Sequence, residues 1–220
     1  MGASVGGSVG IAVELAATPQ AGDASMTRVQ LLRPLTIFKN GAAAGLPPSR
    51  KVRALLAYLV LSPHAVTREH LCELLWDVPN DPKGELRWCL SKIRHLIDEP
   101  NRPRVKAQGD TVRLELTECI VDALEVAQAV QGGIAKLPIA EARCLARLFR
   151  GDLLEGLELD RNPAFDGWLT AQRRRFRSFQ TALLEHVVSN APVDEADEDL
   201  ERWLALAPST IARTSISFMR

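Results

Sequence analysis

The 220-residue sequence contains no C-x-x-C pair. Its four cysteines (Cys72, Cys89, Cys119, Cys144) lie in or near apolar runs. Its four histidines (His64, His70, His95, His186) keep no ligand spacing with them. A zinc or other metal site is therefore not expected, and the thiols read as free and buried in a reducing cytoplasm. No apolar run reaches the length of a membrane span. The opening MGASVGGSVGIAVELAATPQAGDAS lacks a basic leader, and Glu14 interrupts its apolar part, which excludes a secretory signal. Residues 1–25 read as a disordered tail, and Met26 is an equally good start. No P-loop is present, because GDLLEGL (Gly151–Leu157) lacks the Lys-Ser/Thr of a phosphate cradle. No cofactor is implied.

Net charge is also missing, with 27 Lys+Arg against 27 Asp+Glu, but its distribution is uneven. From Met26 to Glu118 there are 15 basic and 10 acidic residues, and from Cys119 to Arg220 there are 12 and 15. A basic half joined to an acidic half predicts two separable domains, 26–118 and 119–220, with double-stranded DNA the partner of the first.

Val29-Gln30-Leu31 and Thr36-Ile37-Phe38 have strand chemistry, and Asn40-Gly41 marks a hairpin turn. SRKVRALLAYLVLSP then changes to helical period, with Ser49 as cap and Val52, Leu55, Leu56 and Leu59 on one face. TREHLCELLW gives a second helix, capped by Thr67, with Leu71, Leu74 and Leu75 inward. DPKGELRWCLSKIRHLIDEP gives a third, with Asp81 as cap, Pro82 in the first turn and Pro100 as the stop. Its apolar stripe is Leu86, Leu90, Ile93 and Ile97, widened by Cys89 and Leu96. The opposite side carries Gly84, Trp88, Ser91, Lys92 and His95, with Arg87 and Arg94 on one flank; Glu85 is the only acid in this middle section. PRVKAQGDTVRLELTE reads as a hairpin turning at Gly109-Asp110.

Three helices followed by a hairpin is the order of a winged helix-turn-helix, in which the third helix enters the major groove and the hairpin reaches backbone or minor groove. Arg87, Lys92, Arg94, Arg102, Arg104, Lys106 and Arg113 form the expected phosphate-facing cluster. The remainder is helical. VDALEVAQAV starts at Asp122 as cap, and PIAEARCLARLFRGDLLEGL follows it. The long NPAFDGWLTAQRRRFRSFQTALLEHVV has a stripe of Phe165, Trp168, Leu169, Phe176, Phe179, Leu183 and Val187. EADEDLERWLALAP is a last amphipathic helix without an evident partner. Helices paired in hairpins suggest a tetratricopeptide-like solenoid, although the residues show no clean repeat. The fold class is mainly α with small β elements.

RKVRALLAYLVLSPHAVTREHLCELLW with LRWCLSKIRHLI resembles the DNA-binding domain of antibiotic-regulatory-protein (SARP) type activators, which belongs to the response-regulator winged-helix class. RLFRGDLLEGLELDRNPAFDGWLTAQRRRFRSFQTALLEHV resembles the bacterial transcriptional activator domain that follows it in that family. The two matches span roughly Val29–Pro208. The resemblance implies a transcriptional activator that binds promoter DNA, often at direct repeats as an oligomer, and contacts RNA polymerase. By position it implies that Arg87, Trp88, Ser91 and Lys92 face bases, that Arg94 and His95 face the backbone, and that Trp76 lies near a phosphate. Two roles fit the large Trp88: stacking on sugar or methyl groups, or packing on the wing. Against the family's full length, the activator domain is incomplete at its C-terminus. These residues lead us to expect neither a receiver nor an ATPase domain within them.

Other classes fit less well. The carboxylate pairs Asp152/Glu155 and Glu158/Asp160 have no histidine or basic partner nearby in sequence, and read as caps and loop residues rather than a catalytic dyad. His70, between Glu69 and Glu73, reads as a helix-surface residue. The run QRRRFR (Gln172–Arg177) reads as a solvated face, with a second basic patch as its alternative. A protein-interaction adaptor with a degenerate winged domain is opposed by the basic balance of the first half.

Overall fold

The computed structural model describes residues 26–76, 81–191 and 197–206. The tail expected over residues 1–25 and the segment STIARTSISFMR lie outside them. The chain is mainly α-helical with two small sheets.

Alternating Val29 and Ile37, both buried, pair across strands β1 (Thr27–Gln30) and β2 (Thr36–Lys39). Asn40 (φ 51°) and Gly41 (φ 76°) make the tight turn into β3 (Ala42–Ala43), the two left-handed residues a type I′ hairpin requires. Helix α1 (Arg50–Leu61) starts where Ser49 Oγ accepts from the Val52 N–H. Helix α2 (Arg68–Leu75) follows a two-residue strand β4 (Val66–Thr67) and starts where Thr67 Oγ1 accepts from the His70 N–H. Helix α3 (Pro82–Ile97) starts where Asp81 Oδ1 accepts from the Gly84 N–H at 2.8 Å. Capping satisfies donors that the first helical turn leaves open. Each helix turns its predicted stripe inward, so Leu55, Leu56, Leu71, Leu75, Leu86, Leu90 and Ile93 form one core.

Strands β5 (Val105–Gln108) and β6 (Thr111–Leu114) form the hairpin, with Gly109 at φ 56° in its two-residue turn. Strand β4 pairs with β6, and the Arg68 N–H donates to the Asp110 carbonyl at 2.8 Å. The hairpin is thereby fixed against the start of α2. This is the winged helix-turn-helix topology.

The sheet of β1 to β3 takes its fourth strand from beyond the charge boundary. Strand β7 (Cys119–Val121) lies parallel to β1, giving the order β3-β2-β1-β7. Helix α4 (Asp122–Gly132) begins immediately after β7. Asp122 is not the cap expected of it, since Val121 precedes the helix without a side-chain cap; its carboxylate instead accepts from the Leu31 and Leu32 N–H groups at 2.8 and 3.1 Å and from Ala123 at 2.7 Å. A short 3-10 turn (Ile134–Lys136) leads to α5 (Ile139–Ala146), the long α6 (Pro163–Asn190) and α7 (Asp197–Leu206). Helix α7 does have a partner. It packs on α6, and the buried Asp199 accepts from Arg143 Nε at 2.8 Å, an ion pair between helices that single-helix periodicity cannot reveal. Cys72 and Cys89 are buried as expected and Cys119 is half-buried, but Cys144 is exposed, because α5 turns Ala142 and Ala146 to the core instead.

The loop GDLLEGL joins the two halves. Its Leu153, Leu154 and Leu157 are buried, and the Arg150 and Leu154 N–H groups donate to the Leu32 and Leu31 carbonyls at 2.9 and 2.8 Å. Leu154 takes φ 52°, a conformation that side chains disfavour and that these bonds hold in place.

Candidate nucleic-acid interface

Helix α3 presents Arg87, Trp88, Ser91, Lys92 and His95 to solvent, and Arg94 half-buried beside them. Its buried side is complementary: Leu86, Cys89, Leu90, Ile93, Leu96 and Ile97. Burial pushes the Cys89 thiol up to about 12, so it is a packed, unreactive group.

The exposed side has two unlike flanks. On one, α3 meets the start of α2 and the hairpin turn around a cavity of about 470 Å³. This cavity is lined by Arg68, Lys83, Arg87 and Arg94, with Leu86 and Leu90 beneath and Asp110 as the one acid. On the other, Trp88, Lys92, His95 and Leu96 face the Gly45–Ser49 loop across a groove of about 580 Å³. The Lys92 Nζ lies 5.5 Å from the Trp88 ring centroid, in cation–π range. Arg94 and His95, expected to act together on the backbone side, therefore stand on opposite flanks.

On the hairpin, Lys106 is paired directly across from Arg113 and therefore lies on the same face. Like charges so placed repel, and an anion bound over them relieves the repulsion. Arg113 also approaches Glu115 at 3.6 Å, an exposed pair of little strength.

Three expected contacts are elsewhere. Trp76 is 5% exposed, its indole N–H is buried without a partner among the described residues, and Lys51 lies 5.4 Å from its ring. It is a core residue and cannot reach a phosphate. Arg104 is 1% exposed; its guanidinium donates to Glu99 at 2.9 Å and to the Thr117 carbonyl at 3.0 Å. Arg102 is paired with Glu118 and lies near Glu99. Both arginines tie the residues after α3 to the turn leading into β7.

Arg68 and Lys83 join the site without having been singled out from the sequence. The signal was present: each occupies the first turn of a helix whose cap was identified, on the side next to the reading face.

Several arginines of the second half are committed to other groups. Arg173 donates to the Leu153 and Leu154 carbonyls, both at 2.9 Å, and pairs with Glu158 at 2.8 Å. Arg177 pairs with Asp152 at 2.7 Å, and Arg175 lies over Phe176 and Phe179. The QRRRFR run thus straps the GDLLEGL loop to α6. The Arg173 guanidinium holds the Glu158 carboxyl below its usual range, so two of the carboxylates weighed as a catalytic dyad are ion-pair partners. His70 bonds to the Tyr58 hydroxyl at 2.9 Å. By contrast, Arg68, Lys83, Arg87, Lys92, Arg94 and Lys106 make no ion pair among the described residues. No cluster of His, Cys, Asp and Glu able to hold a metal occurs among the described residues, and no described helix is long and apolar enough to cross a membrane.

No family model matches the sequence, and no curated protein matches it. Among solved structures, the chain is similar to Mycobacterium tuberculosis EmbR in complex with a low-affinity phosphopeptide. The TM-score is 0.62 at 21% identity over 83% of this chain. The match covers 51% of EmbR, so this chain spans about half the length of that protein. At this identity the likeness is one of fold alone, a mainly α-helical chain with small β elements.

Proposed function

We propose that the chain is a sequence-specific DNA-binding transcriptional regulator, with α3 in the major groove and the hairpin on the backbone. The observation that carries this reading is the contrast in charge pairing. Six cations on and around α3 and the hairpin are without an ion pair among the described residues, while Arg143, Arg173 and Arg177 of α5 and α6 are bound to acids and carbonyls. Unpaired cations beside one another repel unless a polyanion neutralises them. The same contrast opposes a degenerate wing, and the pairing of Asp152 and Glu158 with arginines opposes a catalytic carboxylate dyad.

The finer reading follows the sequence resemblance. Residues 26–118 read DNA, and residues 119–220 form a tetratricopeptide-like activator domain that contacts RNA polymerase. The protein acts in the cytoplasm, as an oligomer on repeated half-sites. The test is selection from a pool of random duplexes with the full chain, followed by transcription from a promoter carrying the selected site. Enrichment of one motif, repeated in direct orientation, and raised transcription are expected. Retention of all sequences equally, or of none, overturns the reading.

A further inference from the structure

Trp88 is the exposed large apolar side chain among the described residues, at 49% exposure. The other indoles are buried or partly buried: Trp76 lies in the core, and Trp168 and Trp203 are half-buried against it. Trp88 does not lie on the hairpin. It faces the loop Leu46-Pro47-Pro48 across the second groove, with Leu96 on the same wall. Among the described residues, the ionisable groups lining that groove are Lys92 and His95, with no acid. An apolar surface bordered by a lysine and a histidine, with no carboxylate among the described lining residues, suits a polyanion that carries an apolar feature.

The major groove has one such feature. Its base edges present hydrogen-bond donors and acceptors throughout, except for the C5-methyl group of thymine. We infer that Trp88, set in the groove against Pro47 and Pro48, recognises a thymine methyl group, so that the preferred site carries a thymine under this flank of α3. Lys92, against the ring, addresses the neighbouring guanine or phosphate. The inference rests on the reading of α3 as the major-groove helix and adds the base and the chemical group that one side chain selects.

The test uses the full chain and the duplex selected above. Each thymine is replaced in turn by deoxyuridine, which deletes the methyl group and keeps the Watson–Crick edge. One position within each half-site should weaken binding about four-fold, the worth of one buried carbon, and replacements elsewhere should be silent. Trp88→Ala should bind the thymine and deoxyuridine duplexes equally, whereas Trp88→Phe should keep part of the preference. Thermal melts of both variants should match the parent, because the ring is half in solvent. A selected site without thymine, or tight binding that no deoxyuridine replacement weakens, overturns the inference and leaves DNA reading standing. So does a Trp88→Ala protein that still prefers thymine. If the chain retains no duplex at all, the reading of α3 falls and this inference falls with it.

Discussion

Leu90 and Lys92 stand two residues apart on α3 and answer to different physics. Leu90 is 1% exposed in the core, so Leu90→Ala should cost about 2–5 kcal/mol through lost burial and a cavity. Specific and random DNA should then be lost together as the protein unfolds. Lys92 is exposed, so Lys92→Ala should leave the thermal melt intact and narrow the preference for the selected site by about 1–3 kcal/mol. Melts and competition binding separate the two, and a stable Leu90→Ala beside a collapsed Lys92→Ala would reverse the faces of the helix. Arg104 is a different case, because counting charge mistook it for a phosphate ligand although its guanidinium is buried against Glu99 and the Thr117 carbonyl. Arg104→Met should destabilise by about 2–3 kcal/mol, less than a fully buried pair because water reaches Glu99, and should leave the salt dependence of DNA binding unchanged. Arg104 donates to Glu99 and holds its carboxyl below the usual range. The folded-state value is thus depressed, so this stabilisation is present above the ordinary carboxylate pKa of about 4.3 and fades as pH falls through the lower folded value. Melting temperature followed from pH 6 downward should fall less steeply in Arg104→Met than in the parent.

At the scale of elements, period and caps made most of the fold legible. Ser49, Thr67 and Asp81 each start the helix they were expected to start, and the stripe of α3 is buried residue for residue. Side-chain pairing between elements was not legible, because periodicity says which way a residue points and nothing about what waits there. Trp76, Asp122 and the α7 partner Arg143 are all of this kind. The arginines of α6 show it most clearly. Arg173 makes two carbonyl bonds and an ion pair that hold a loop containing a left-handed leucine, whereas Arg177 makes one exposed pair. Arg173→Ala should therefore cost about 2–3 kcal/mol, and Arg177→Ala less than about 1 kcal/mol. Neither should alter DNA affinity of the folded protein in a competition assay. A large affinity loss in Arg177→Ala with an unchanged melt would make the run a second DNA-binding patch.

For the molecule as a whole, composition divides the chain near residue 118, and contacts cross that line repeatedly. Strand β7 completes the first sheet, Asp122 holds Leu31 and Leu32, and Tyr58 of α1 meets Trp168 of α6 with ring centroids 4.9 Å apart. Trp168 in turn packs on Phe165 at 5.3 Å. The two halves should unfold together, and Trp168→Ala should lower a single shared transition, by circular dichroism and calorimetry alike, rather than separate two. Two transitions in the parent would show the halves to be independent despite these contacts. The central claim concerns the unpaired cations, and it is tested most directly by measuring how duplex affinity of the full chain varies with salt. If about five of Arg68, Lys83, Arg87, Lys92, Arg94 and Lys106 neutralise phosphates, log K against log salt should fall with a slope of about −4 to −5. Removing Arg68 or Arg94 should bring that slope closer to zero by about 1. A flat salt response would contradict the account.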